Sequence, residues 1–186
     1  MAMRRMSKLA TDSPLYFDTD CLSAFLWVRD ESLLTQLYPG RVVLPRQVYD
    51  ELGAVPHLQA RIDTLLSRNE VKISEIQVGT PAHEIYAELT GVPRPGHAVI
   101  GRGEAASLAL SKCFNGIVAS NNLRDISQYI LEFGLQHKTT GDILVEAMDA
   151  GLISEQEGNT LWSNMLKKRR MLGAPSFTEF LRQNGR

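Results

Sequence analysis

Cysteine is scarce. Cys21 and Cys113 are the only two in 186 residues, and they show no metal-ligand spacing. That excludes a disulfide framework and suits a reducing, cytoplasmic setting. Long apolar runs are missing too. No stretch approaches the roughly 20 residues of a membrane-spanning helix, so no membrane partner is expected. Arg4, Arg5 and Lys8 near the N-terminus have no apolar segment behind them, which excludes a secretory signal. Net charge is almost absent, at −1. A total so near zero excludes no partner, because a basic patch can sit inside it. Repeats and low-complexity tracts are absent. Gly101-Arg102-Gly103 lacks the Lys-Ser/Thr of a phosphate loop, which excludes that mode of nucleotide binding.

What is present is a globular composition, 44% hydrophobic and 22% charged, at a length that suits one domain with a full core. Residues 1–13 have no periodic pattern and read as a flexible leader. Short apolar or β-branched runs predict strands at 15–17, 41–45, 71–73 and 117–120, with a weak fifth at 136–138. Between them, apolar residues recur at helical spacing over 22–28, 33–37, 47–52, 58–66, 82–89, 104–110, 126–133 and 143–150. Asp30-Glu31-Ser32 can cap the second of these, Thr139 or Thr140 the last, and Ser154 with Glu157 a further helix to 166. A short helix at 177–181 closes the chain. The alternation predicts an α/β fold, a three-layer α/β/α sandwich on a parallel sheet of four or five strands. Residues 14–150 form the domain, and 151–186 form a helical C-terminal extension.

In an open parallel sheet, ligands gather at the C-terminal ends of the strands. Asp18 follows the first strand, Asp125 follows the fourth, and Glu104 opens a helix behind a glycine-rich loop. Glu51 lies early in the helix after strand two. Carboxylates brought together repel unless one is protonated or a cation bridges them. An all-oxygen set suits a hard ion, Mg²⁺ or Mn²⁺, and such an ion suits phosphodiester cleavage. On this reading Asp18, Glu104 and Asp125 converge on one cation, while Thr19, Asp20, Glu51 and Asn122 orient ligands or water around them. Arg41, Arg46, Arg94 and Arg102 are candidates to contact backbone phosphates, which would position a nucleic-acid strand without reading it. Plainer readings stand beside these. Asp18-Thr19-Asp20 can cap the first helix, and Glu104 can be a first-turn residue favoured by the helix dipole. Asn121-Asn122 can be a turn. Asp142 serves the start of its own helix, His97 is a surface residue, and 167–170 is a solvated helix end.

The set Phe17-Asp18-Thr19-Asp20, Val48-Tyr49-Asp50-Glu51-Leu52, Gly103-Glu104-Ala105-Ala106-Ser107-Leu108-Ala109 and Val118-Ala119-Ser120-Asn121-Asn122-Leu123-Arg124-Asp125 resembles the PIN domain family over about residues 15–150. It is most similar to the small prokaryotic toxin-type members. The resemblance implies a Mg²⁺- or Mn²⁺-dependent endoribonuclease, the toxin of a toxin–antitoxin pair, with an antitoxin protein and a second copy of the chain as partners. Asp18, Glu104 and Asp125 match the family's acidic metal-site positions, and Glu51 matches a further acidic one. The chain departs from the pattern at Asn122, where many members carry aspartate. The competing expectation is a PIN module that binds RNA or protein without cleaving it.

Overall fold

Leu15–Phe17 forms β1, a strand buried on both faces. A strand covered on both sides is apolar at every position, so no alternation marks it in the sequence. The computed structural model describes residues 12–92, 95–97 and 99–185. Residues 1–11, most of the expected leader, fall outside that range, as does Arg94. After β1 come α1 (Thr19–Val28), α2 (Ser32–Leu37), β2 (Val42–Pro45), α3 (Arg46–Leu52), α4 (Pro56–Ser67) and β3 (Lys72–Ser74). The chain continues through α5 (Pro81–Thr90), α6 (Arg102–Cys113), β4 (Ile117–Ala119), α7 (Leu123–Phe133) and β5 (Gln136–Lys138). It ends with α8 (Thr140–Asp149), α9 (Glu155–Lys167) and α10 (Phe177–Gln183).

The five strands run parallel in the order β3-β2-β1-β4-β5. The chain leaves β1 toward one edge and returns on the other side with β4, which makes the crevice between β1 and β4 the switch point where α/β sheets bind ligands. Phe17 pairs with Ala119, and Ala119 with Lys138. The next residues therefore emerge side by side. Asp18 N donates to Ala119 O at 2.9 Å, and Ser120 N donates to Lys138 O at 2.9 Å.

Alternate strand residues divide the core. Leu15, Phe17, Val42, Leu44, Ile117 and Ala119 share one buried cluster with residues of α1, α2, α3, α4, α8, α9 and α10. Tyr16, Val43 and Val118 face α5, α6 and α7 on the other side. The stretch beyond residue 150 contributes Trp162, Met165, Leu172, Phe177 and Leu181 to the first cluster. Close approach there depends on two glycines. A Cβ on Gly158 would stand 2.4 Å from the Phe177 ring, and one on Gly141 would stand 2.3 Å from the Phe180 ring.

Several boundaries differ from the sequence expectation for local reasons. α6 begins at Arg102 and α7 at Leu123, each earlier than its first apolar repeat, so Glu104 and Asp125 sit in first helical turns. No side chain of the 30–32 stretch caps α2; Glu31 instead pairs with Arg61 at 2.7 Å. The caps expected from Thr139 and Ser154 are present, each closed by the carboxylate three residues on. Among the described residues, no helix is long and apolar enough to cross a membrane.

Candidate functional site

Asp18 is both a helix cap and a buried acid. Its Oδ1 accepts from Cys21 N at 2.7 Å, closing the first turn of α1, and its Oδ2 accepts a short hydrogen bond from the Ser120 hydroxyl. The residue is 1% exposed. Burial pushes its carboxyl up to about 7; the bonds from Ser120 and Cys21 N hold it down, and the charges of Asp20 and Glu104 push it further up. Asp20 is raised in the same direction, chiefly by burial, with Arg170 and Asn121 opposing. Arg170 Nη1 lies 3.5 Å from Asp20 Oδ1 and donates to Ser23 Oγ at 3.1 Å.

Glu104 reaches the same place from α6. Its Oε2 accepts from Gly101 N at 2.8 Å, and its Oε1 accepts from the Asn122 amide at 2.7 Å. The same Asn122 nitrogen donates to Asp125 Oδ2 at 2.8 Å. Asn122 stands at the N-cap of α7 yet makes no side-chain cap there. It bridges two carboxylates instead, a neutral donor holding them where bare charges would repel. Asn121 turns the other way and exchanges hydrogen bonds with Thr140, at 2.9 and 2.8 Å.

Glu51 ties a third helix to the site. Its Oε1 accepts from Gly103 N at 3.0 Å, and its Oε2 takes a short bond from the Thr19 hydroxyl. A side chain at 103 would have no room, since a Cβ there would meet Glu51 Oε2 at 2.9 Å and Thr19 Oγ1 at 3.1 Å. Asp18, Thr19, Asp20, Glu51, Gly101, Gly103 and Glu104 line one cleft of about 240 Å³ at the C-terminal edge of the sheet.

A family model described as the PIN domain matches residues 15–186. The chain belongs to the PIN domain family. The match begins with β1, spans the whole sheet and runs through α10, so the C-terminal helices lie within it. The PIN domain is a nuclease-type fold. A search of the curated proteins finds no match.

Within this PIN domain, the expected residues fall into four groups. Asp18, Thr19, Asp20, Glu51 and Glu104 share the cleft. Asp125 does not line it and is joined to Glu104 through Asn122. Arg41 is separated from it, because a residue that precedes a parallel strand lies at the opposite edge of the sheet; its Nε donates to Ser13 O at 2.8 Å, and its guanidinium sits over the Tyr38 ring. Arg46 and Arg102 open α3 and α6 and do not line the cleft; Arg46 pairs with Glu75 at 2.8 Å, and Arg102 Nε donates to Tyr86 Oη at 3.2 Å. Reading the sequence missed Ser120 and Arg170 as members of the site. For Ser120 the available signal was a hydroxyl ending the apolar strand next to the one that ends in Asp18. For Arg170 no local signal existed.

Among the described residues, no three His, Cys, Asp or Glu side chains stand together closely enough to hold a metal ion. Mg²⁺, however, is commonly held by one or two carboxylates, with waters and substrate phosphates completing its shell. Asp18 and Glu104 supply two carboxylates on one open cleft. The donors around them, Thr19, Asp20 and Glu51, are all oxygens. This set fits a hard divalent cation.

Proposed function

We propose that this protein is a Mg²⁺- or Mn²⁺-dependent endoribonuclease. The observation that carries the reading is the meeting of Asp18 and Glu104 on one cleft at the β1/β4 switch point. Asp18 and Glu104 would hold the ion, and Asp125 would stabilise the arrangement through Asn122. A divalent ion bound there supplies Lewis acidity toward water and phosphate oxygens. Asp20, one residue inside α1, is placed to orient a water in the cleft, and Arg170 holds Asp20 in position. Glu51 fixes Thr19 and the Gly103 backbone, which keeps the walls from shifting when a strand docks. Arg46 and Arg102, on either side of the edge, would engage backbone phosphates and set the register of the RNA.

The test is cleavage of end-labelled single-stranded RNA with Mg²⁺, Mn²⁺ or EDTA, by the parent, Asp18→Asn and Glu104→Gln proteins. Cleavage should require metal and fall about 100-fold or more in each variant, since removing one essential charge stabilisation costs that much. Melting curves establish that the variants are folded. RNA binding without metal-dependent cleavage in the parent would favour the non-cleaving module. The toxin role, the antitoxin and the homodimer are carried by the motif resemblance. Growth arrest on expression, relieved by Asp18→Asn, is the outcome expected of a toxin.

A further inference from the structure

Asp20, Ser23 and Trp27 are three and four residues apart, so they lie along one face of α1. That face starts in the acidic cleft, which Asp20 lines, and reaches Trp27 about 10 Å further along the helix. The end of α9 meets all three residues. Arg170 Nη1 reaches Asp20 and Ser23, and Lys168 Nζ stands 5.5 Å from the centre of the Trp27 ring. A Schellman turn builds this contact. Arg170 N donates to Met165 O at 3.1 Å and Arg169 N to Leu166 O at 2.8 Å, with Arg169 left-handed at φ 58°. Glycine suits that position best, because a side chain is strained there. Just past α4, α6, α7 and α8 the left-handed residue is Asn69, Asn115, Gly134 or Gly151, whereas past α1 and α9 it is Arg29 and Arg169. Strain kept for an exposed arginine points to a role for its guanidinium.

Lys168 and Arg169 are exposed, and neither pairs with a carboxylate among the described residues. Held over Trp27, Lys168 keeps its charge and its three N–H donors. Its position is already fixed, so little side-chain freedom is lost when a ligand arrives. Unpaired cations next to a cleft of carboxylates attract what the cleft alone repels, a polyanion. Each one that meets a phosphate releases a counterion from the strand, which makes the affinity depend on salt.

We propose that Lys168 and Arg169 form a phosphate-binding track for single-stranded RNA, leading out of the acidic cleft along α1. This rests on the ribonuclease reading and adds the path of the strand to it. Arg170 stays bound to Asp20 and anchors the turn. Lys168 and Arg169 meet phosphates of the backbone and read no base.

Binding measured without turnover tests it. In the Asp18→Asn background, fluorescence anisotropy is read with oligoadenylate and oligouridylate of about twelve nucleotides, between about 50 and 200 mM KCl. Lys168→Gln and Arg169→Gln should each make the slope of log K against log salt shallower by about 0.7, the value of one single-strand phosphate contact. The change should be the same for both oligomers, because no base is read. Arg169→Gly separates contact from folding. Glycine relieves the left-handed strain, so this variant should melt no lower than the parent and still lose the same slope. Arg68→Gln removes another exposed cation from the C-terminal end of a helix, one that precedes β3 and so lies at the opposite edge of the sheet. It should leave the slope unchanged. Unchanged slopes in Lys168→Gln and Arg169→Gly while RNA still binds, as for a surface that docks an acidic protein, overturn the track and leave the nuclease reading in place. An equal loss in Arg68→Gln overturns it too, since any surface cation would then count alike. If the unmodified protein neither binds nor cleaves any RNA, both fall together.

Discussion

Asp18 concentrates two opposed demands in one side chain. It caps α1 and accepts from Ser120, which favours a fixed geometry, yet it is buried beside Asp20 and Glu104, which disfavours charge. The sign of the pH effect follows. Folding raises its pKa from 3.8 to about 7, so the folded state holds the proton more tightly than the unfolded chain does. Stability is therefore lost as pH rises from about 4 toward 7, by up to roughly 4 kcal/mol, and the loss is complete above 7. Asp18→Asn has no charge to bury. The stability of the parent minus that of Asp18→Asn should fall between pH 4 and pH 7.5 in urea titrations, and Mg²⁺ should recover part of it in the parent alone. Parallel pH profiles would show that Asp18 acts as a cap and no more. Asn122 carries the second expectation at this scale. Its amide donates to Glu104 and Asp125, so Asn122→Asp sets a third negative charge between them. Without metal the variant should lose about 2 kcal/mol, the order of a hydrogen bond to a charged partner. It should bind Mn²⁺ at least about tenfold more tightly, because charge count helps set the affinity of a hard-cation site. Calorimetry and melting curves read the two effects, and identical Mn²⁺ titrations would detach Asn122 from the metal site.

Helices and strands explain why these groups meet at all. Three helix starts converge on the cleft: α1 through Asp18 and Thr19, α6 through Gly103 and Glu104, and α7 through Asn122. Positive dipole ends at one place favour the carboxylates gathered there. α3 adds Glu51 from its penultimate position, and Gly103 allows the approach. The packing of the C-terminal helices depends on glycine in a similar way. Gly158 on α9 faces the Phe177 ring, which is fully buried against Trp162. Gly158→Ala gains about 1 kcal/mol of helix propensity but forces a methyl into that ring, at a cost of about 1–3 kcal/mol. A net destabilisation of about 1 kcal/mol, the middle of a span of roughly 0–2, is expected in urea unfolding. A more stable variant would mean that α10 can shift aside.

On the scale of the whole molecule, the C-terminal helices and the cleft are one construction. Trp162 and Met165 of α9 share a buried cluster with Leu22 and Phe25 of α1, the helix that Asp18 caps. The basic run closing α9 is used in both directions. Lys168 lies over the Trp27 ring, and Arg170 turns back to Asp20 and Ser23. A near-zero net charge thus conceals an acidic cleft with Arg170 against Asp20 and Arg102 beside Glu51. Sheet polarity separates Arg46, which follows β2 at the C-terminal edge, from Arg41, which precedes β2 at the opposite edge.

The sequence alone determined the α/β class, the strand positions to within a residue or two and the placement of Asp18 at a strand end. These are legible because periodicity, caps and strand-ending polar residues are local properties of the chain. Element starts such as Arg102 and Leu123 were less legible, since the first turn of a helix carries no apolar repeat. Tertiary structure decided which carboxylates share a cleft, that Asp125 reaches it only through Asn122, and that Ser120 and Arg170 belong to the site. It also left Gln47 Oε1 buried with no hydrogen-bond partner among the described residues. Those outcomes depend on the register of β1 against β4 and on the return of α9 to α1. Such contacts between distant segments arise from the packing of the whole core and leave no mark in any short window of sequence.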